Sequence, residues 1–129
     1  MPTRRTIQKP DQHALLDAEG ERLQARITEL EDELAGVIAD ADARTAADPD
    51  SSDAGSGDVE RDRVTALLAR AQENLAQVRA AMRRADAGTW GTCATCGKPI
   101  SAERLAALPT ATSCVDCARP GLRRGIGPR

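Results

Sequence analysis

The sequence predicts a mainly α protein: an antiparallel coiled-coil helical hairpin followed by a small module closed by four cysteines. Three observations carry that prediction. Two stretches place apolar residues at alternating three- and four-residue steps, and a polar run rich in Gly, Ser and Pro separates them. All four cysteines of the 129-residue chain fall together near its end.

Residues 1–10 read as a flexible N-terminal arm ending at Pro10. A helix is expected to begin near Asp11, whose carboxylate would cap the free amides of the first turn. Beyond it come Leu16, Leu23, Ile27, Leu30, Leu34, Val37 and Ala41. From Leu23 onward the steps alternate between four and three, the seam of a helix that packs lengthwise on another. Glu21, Arg22, Gln24, Glu29, Glu31 and Asp32 fill the remaining faces. Gly20 and Gly36 weaken this helix by about 1 kcal/mol each relative to alanine, without breaking its pattern.

From 46 to 58 the composition changes to Ala-Ala-Asp-Pro-Asp-Ser-Ser-Asp-Ala-Gly-Ser-Gly-Asp, with no apolar anchor, so this stretch reads as an acidic loop. Asp58 is the expected N-cap of a second helix. That helix carries Val64, Leu68, Ala71, Leu75, Val78, Met82 and Ala85, again in four-three alternation. Arg79, Arg83 and Arg84 near its end complement the helix dipole. Gly88 stands where a helix C-terminus favours glycine. Two helices of matched length joined by one loop fold back on each other within a chain. The hairpin is therefore expected over 11–87, in a monomer, with about 1.5 Å of length per residue, or roughly 45 Å.

The second module spans 88–118. Cys93-Ala94-Thr95-Cys96 and Cys114-Val115-Asp116-Cys117 are two C-x2-C pairs separated by seventeen residues. Such spacing fits a structural zinc site, since two intervening residues let a tight turn aim both sulfurs at one metal. Four thiolates satisfy tetrahedral zinc and leave no open position for catalysis. Two disulfides or a redox-active C-x-x-C pair are the alternatives. Gly97, just after the first pair, sits where the turn needs a positive φ. Trp90 is expected to pack at the junction of hairpin and cysteine module. Ser101 reads as the N-cap of a short helix through Leu108, stopped before Pro109. Residues 119–129 form a basic, Gly/Pro-rich stretch expected to be a flexible tail. His13 reads as a solvated helix residue.

Composition narrows the function classes. With 40% hydrophobic residues, one Trp, no Phe and no Tyr, the chain lacks the bulky side chains of a large core, and a metal staple is a common remedy. The formal charge of −2 gives no overall attraction to nucleic acid or to membranes. No apolar run approaches the roughly 20 residues of a membrane helix, and no apolar run follows Arg4 and Arg5 as a signal peptide requires. A cytoplasmic protein with reduced thiols is expected, which favours zinc over disulfides.

The residues of the cysteine module carry a resemblance. Gly88-Thr89-Trp90-Gly91-Thr92-Cys93-Ala94-Thr95-Cys96-Gly97, then Pro99-Ile100, Glu103-Arg104-Leu105, Pro109-Thr110-Ala111 and Cys114-Val115-Asp116-Cys117, resemble the DksA/TraR-type zinc finger. The match is dense over 88–118, and upstream it rests on a helical hairpin of the right length. The resemblance implies a bacterial transcription regulator that binds RNA polymerase directly. Its coiled coil would enter the secondary channel, and acidic residues at the tip would approach the active centre. The family's tip pattern, Asp-x-x-Asp-x-Ala, falls on Asp50-Ser51-Ser52-Asp53-Ala54-Gly55, with Gly55 in place of the alanine. Better-known members answer to guanosine tetraphosphate through basic residues. The corresponding positions here are Gln77, Leu108 and Ala118, so phosphate recognition loses its main electrostatic contribution.

Three classes follow: a polymerase-binding regulator, a zinc-stabilised DNA-binding or protein-interaction module, and an enzyme. The module carries few basic residues, Lys98, Arg104 and Arg119, and no Arg-studded recognition helix, so sequence-specific DNA binding is not expected. A closed thiolate site with no nearby His and no Gly-rich phosphate loop argues against catalysis. Zinc held by Cys93, Cys96, Cys114 and Cys117, with partner contacts at Asp50 and Asp53, is the site the sequence points to.

Overall fold

Among the described residues four helices follow one another: α1 (Lys9–Ala47), α2 (Ala54–Ala87), α3 (Ala102–Ala107) and α4 (Val115–Ala118). The computed structural model describes residues 9–50 and 54–119. Residues 1–8 of the expected arm, the loop residues Ser51, Ser52 and Asp53, and 120–129 of the expected tail lie outside the described residues. The described residues divide into two compact units, 21–76 and the remainder.

In the 21–76 unit α1 and α2 pair through the two apolar seams. Ile27, Leu30, Val64 and Ala71 are buried in its core, with Leu34, Val37, Leu67, Leu68 and Leu75 packed against them. Each fully buried leucine or valine contributes about 1.5–3 kcal/mol. Isolated helices of this kind are marginal, so seam burial supplies most of the stability. Arg63 spans the pair, donating from Nη2 to Glu33 Oε1 and to Glu60 Oε1, both at 2.8 Å. These carboxylates hold the Arg63 guanidinium well above its usual range, chiefly through the hydrogen bond to Glu60. The exposed bridge adds little to stability.

The turn between the helices is shorter than the polar run at 46–58 suggests. α1 continues to Ala47 and stops at Asp48, the residue before Pro49, where proline disfavours helical backbone. α2 then starts at Ala54, so Asp58 lies in its second turn and is not its N-cap. Packing explains the difference. Gly57 is buried, and an added Cβ there would meet Arg44 Nη2 at 3.3 Å and Ala41 Cβ at 3.8 Å. The close approach of α1 to this glycine outweighs the poor helix propensity of Gly55 and Gly57.

The other unit joins the start of α1 and the end of α2 to α3, α4 and their connecting turns. Leu16, Val78, Ala81 and Ala85 are buried along the helix pair. α1 begins at Lys9, two residues ahead of the expected start, with Asp11 in its first turn and not at the cap. Pro10 is compatible with a first turn because its missing amide has no partner to lose there. His13 is partly exposed, as a solvated helix residue would be, and also has a partner: Nε2 and Asp86 Oδ1 of α2 are 2.7 Å apart. α2 ends in a Schellman turn, as the placing of Gly88 suggests. Gly88 has φ 83°, its amide donates to Ala85 O at 3.2 Å, and that of Thr89 donates to Arg84 O at 2.9 Å.

Candidate metal centre

Each cysteine is placed by a short, hydrogen-bonded piece of backbone. After Trp90 the chain runs out through Gly91, turns at 94–96 and returns through Pro99. Thr92 and Pro99 form an isolated antiparallel bridge, and Ile100 N–H donates to Gly91 O at 2.7 Å. Within this turn Cys93 N–H donates to Lys98 O at 2.8 Å, and Gly97 N–H donates to Cys93 O at 2.9 Å. Gly97 has φ 76°, the left-handed conformation expected of it. Gly91, at φ 86°, plays a second such role that sequence reading passed over. A Cβ there would stand 3.4 Å from Leu105 Cδ1, so both backbone and packing call for glycine.

The second pair rides on α4. Cys114 occupies its N-cap position in extended backbone, and Ala118 N–H donates to Cys114 O at 2.9 Å. Helical spacing thus turns Cys114 and Cys117 toward one point. Ala94 N–H donates to Thr112 O at 2.8 Å and ties the two turns together.

Two side chains brace the module. Ser101 caps α3 as expected, its Oγ accepting from Arg104 N–H at 3.2 Å. Arg104 is a strut: its Nε donates to Ser113 O at 2.9 Å, next to Cys114. The Trp90 indole is buried and donates from Nε1 to Pro109 O at 2.8 Å. A buried indole with its one donor satisfied is a packing residue, as its junction position suggests. Arg84 of α2 reaches Thr110 O at 3.4 Å, and burial, with Arg83 alongside, pulls its guanidinium below the ordinary range. The strut roles have no signature in the sequence, where Arg84 reads as a complement to the helix dipole and Arg104 as part of the family resemblance.

The four sulfurs converge. The Sγ atoms of Cys93, Cys96, Cys114 and Cys117 all lie within 4.8 Å of one another, and none is in a disulfide. Cys96 Sγ and Cys114 Sγ are 3.8 Å apart. A tetrahedron of thiolates at 2.3 Å from zinc has edges of about 3.8 Å, so the donor set fits. Hydrogen bonds from the amides of Cys114 and Cys96 hold the Cys93 thiol down to about 5. Hydrogen bonding with Cys114, then burial, pushes Cys117 up to about 12. Four thiols in so small a space cannot all ionise unaided, and a dication resolves the conflict. The set is a structural zinc site, made entirely of sulfur, with every coordination position filled by the chain.

The acidic turn is a separate feature. Asp50 is exposed just beyond α1, and its amide donates to Asp48 Oδ1 at 3.2 Å. Asp53 lies outside the described residues, so its placement relative to Asp50 stays an expectation. Among the described residues no helix is long and apolar enough to cross a membrane.

Comparison with known proteins agrees with this geometry. The family model for the prokaryotic dksA/traR C4-type zinc finger matches residues 88–120. Among solved structures the chain is similar to transcription factor DksA2 from Pseudomonas aeruginosa, at 30% identity and a TM-score of 0.53. The likeness covers 81% of this chain and 80% of that one. No curated protein sequence matches the chain.

Proposed function

The chain belongs to the DksA/TraR family of zinc-finger transcription factors, and on that premise we propose that it regulates bacterial transcription by binding RNA polymerase directly. One observation carries the reading: the likeness to a transcription factor spans four-fifths of both chains, far more than the zinc-finger match at 88–120 alone. The family is not an enzyme class, and a zinc with four thiolates has no position to offer a substrate.

In this reading the helical hairpin enters the secondary channel of the polymerase in the cytoplasm, as a monomer, and the zinc finger holds the hairpin's base. Asp50 and Asp53 supply the effect at the tip. Carboxylates delivered to a cationic centre act on it electrostatically over several ångströms. Guanosine tetraphosphate has little influence, because Gln77, Leu108 and Ala118 bring no cation to the phosphates.

Core polymerase should accompany the purified protein in a pull-down, and in vitro transcription should change when the protein is added. Asp50→Asn/Asp53→Asn should retain binding, since the turn is a small part of the contacting surface, yet lose the effect on transcription. Asp48→Asn/Asp58→Asn is the control: Asp58 is carried on α2 and Asp48 closes α1. Equal activity of wild type and both variants would remove the tip mechanism, and absence of polymerase binding would remove the assignment.

A further inference from the structure

The unit that holds the zinc site also contains a groove of about 1370 Å³ between the start of α1 and the cysteine module. Its apolar lining includes Leu15, Ile100 and Val115, and Val115 is 44% exposed. Among the described residues the charged lining is all of one sign, Asp11, Glu103 and Asp116, with no Lys, Arg or His beside them. Cys114 also lines it, and a zinc with four thiolates carries a formal charge of −2, which deepens the negative potential. Nothing in the mechanism proposed above uses this groove.

The chain supplies an occupant of complementary chemistry. Residues 120–129 read Pro-Gly-Leu-Arg-Arg-Gly-Ile-Gly-Pro-Arg: three arginines, two branched apolar residues and no acid. They leave from Arg119, directly after α4, whose Val115 and Asp116 form one wall of the groove. Ten extended residues reach roughly 33 Å, against about 11 Å for the cube root of the groove volume, so the segment is long enough to return. We propose that residues 120–129 dock in cis into this groove, with Arg123 and Arg124 on the carboxylates of Asp11, Glu103 and Asp116 and with Leu122 or Ile126 against Leu15, Ile100 and Val115. Tethering raises the effective concentration of the segment, so contacts too weak to hold a free peptide suffice. The pairing is partly exposed and electrostatic, so it weakens with salt.

The test uses zinc-loaded protein and NMR, and is independent of polymerase. Amide signals of Ala102, Val115 and Asp116, and the indole signal of the single Trp90, should differ between the full chain and a chain ended after Arg119. Free peptide of residues 120–129 should restore the full-chain positions saturably. Arg123→Gln/Arg124→Gln should abolish the difference, as should Glu103→Gln/Asp116→Asn, with one zinc per chain retained in each variant as the check on folding. Trypsin cleavage after Arg123 and Arg124 should quicken in the groove variant and at high salt. Signals identical with and without the segment would overturn the proposal. A difference that grows with protein concentration would also overturn it, because that marks docking onto a second copy.

Discussion

The helix pair of the 21–76 unit and the cysteine module hold their chains by opposite means. In the pair, stability is spread over many equivalent apolar contacts, among them those of the buried Leu23, Ile27, Leu30, Val64 and Ala71. In the module only Trp90, Cys93, Ile100, Leu105, Pro109 and Ala111 are buried, too few to order a segment of this length by burial alone. One metal and a few directed hydrogen bonds take over. The difference teaches that a seam degrades gradually as residues are changed, whereas a metal-closed module fails all at once.

The largest expected effect lies in the module. Structural zinc in small domains is worth about 10 kcal/mol or more, so Cys114→Ser should unfold the module while the helix pair keeps its far-UV circular dichroism. Metal analysis of protein purified under reducing conditions should give one zinc per chain, and an intact pair of disulfides in place of metal would contradict it. The pH dependence has a definite sign. Cys93, held down to about 5, is ionised at neutral pH, whereas Cys117, pushed up to about 12, is not. Zinc binding must expel the protons that remain, so affinity rises with pH and is lost as pH falls toward 5. Competition with a chromophoric chelator at several pH values measures it.

A smaller effect is expected in the seam. Leu30 is 1% exposed, and Leu30→Ala should cost about 2–5 kcal/mol. Thermal melting should show the loss in the helical signal, with zinc content unchanged. An equal loss of zinc would show that the two regions are not held independently.

The smallest effects separate two glycines of the helix pair. At Gly36 an added Cβ meets nothing within 4 Å, so Gly36→Ala should stabilise by up to about 1 kcal/mol. At Gly57 the same change presses on the Arg44 guanidinium, a movable group, and the propensity gain is partly offset. Gly57→Ala should therefore raise the melting temperature less than Gly36→Ala. The reverse order would mean that the approach at Gly57 is looser than its burial indicates.

The sequence by itself determined the pairing of the helices, the sulfur ligands and two of the three positive-φ glycines among the described residues. Apolar residues at seven-residue intervals have one economical arrangement in water, which is against each other. Two C-x2-C pairs bring their metal geometry with them, and Gly88 and Gly97 stand where chain reversal needs a positive φ that other residues rarely adopt. Local pattern also found the Ser101 cap, because a side chain that bonds the amide three residues on needs no distant partner.

Tertiary structure decided what depends on partners far away in the chain. The seam left Leu67 and Ala81 unmarked, yet Leu67 packs against the core and Ala81 is fully buried. Asp58 has the chemistry of an N-cap but becomes a helix residue, because α1 packs on Gly57 and draws the preceding turn into α2. His13 meets Asp86 across 73 positions, and Arg84 and Arg104 act as struts on the carbonyls of Thr110 and Ser113. Spacing along a chain encodes local conformation and the period of a buried face. Which carbonyl a cation finds is set by where the fold brings distant backbone, and no local pattern contains that.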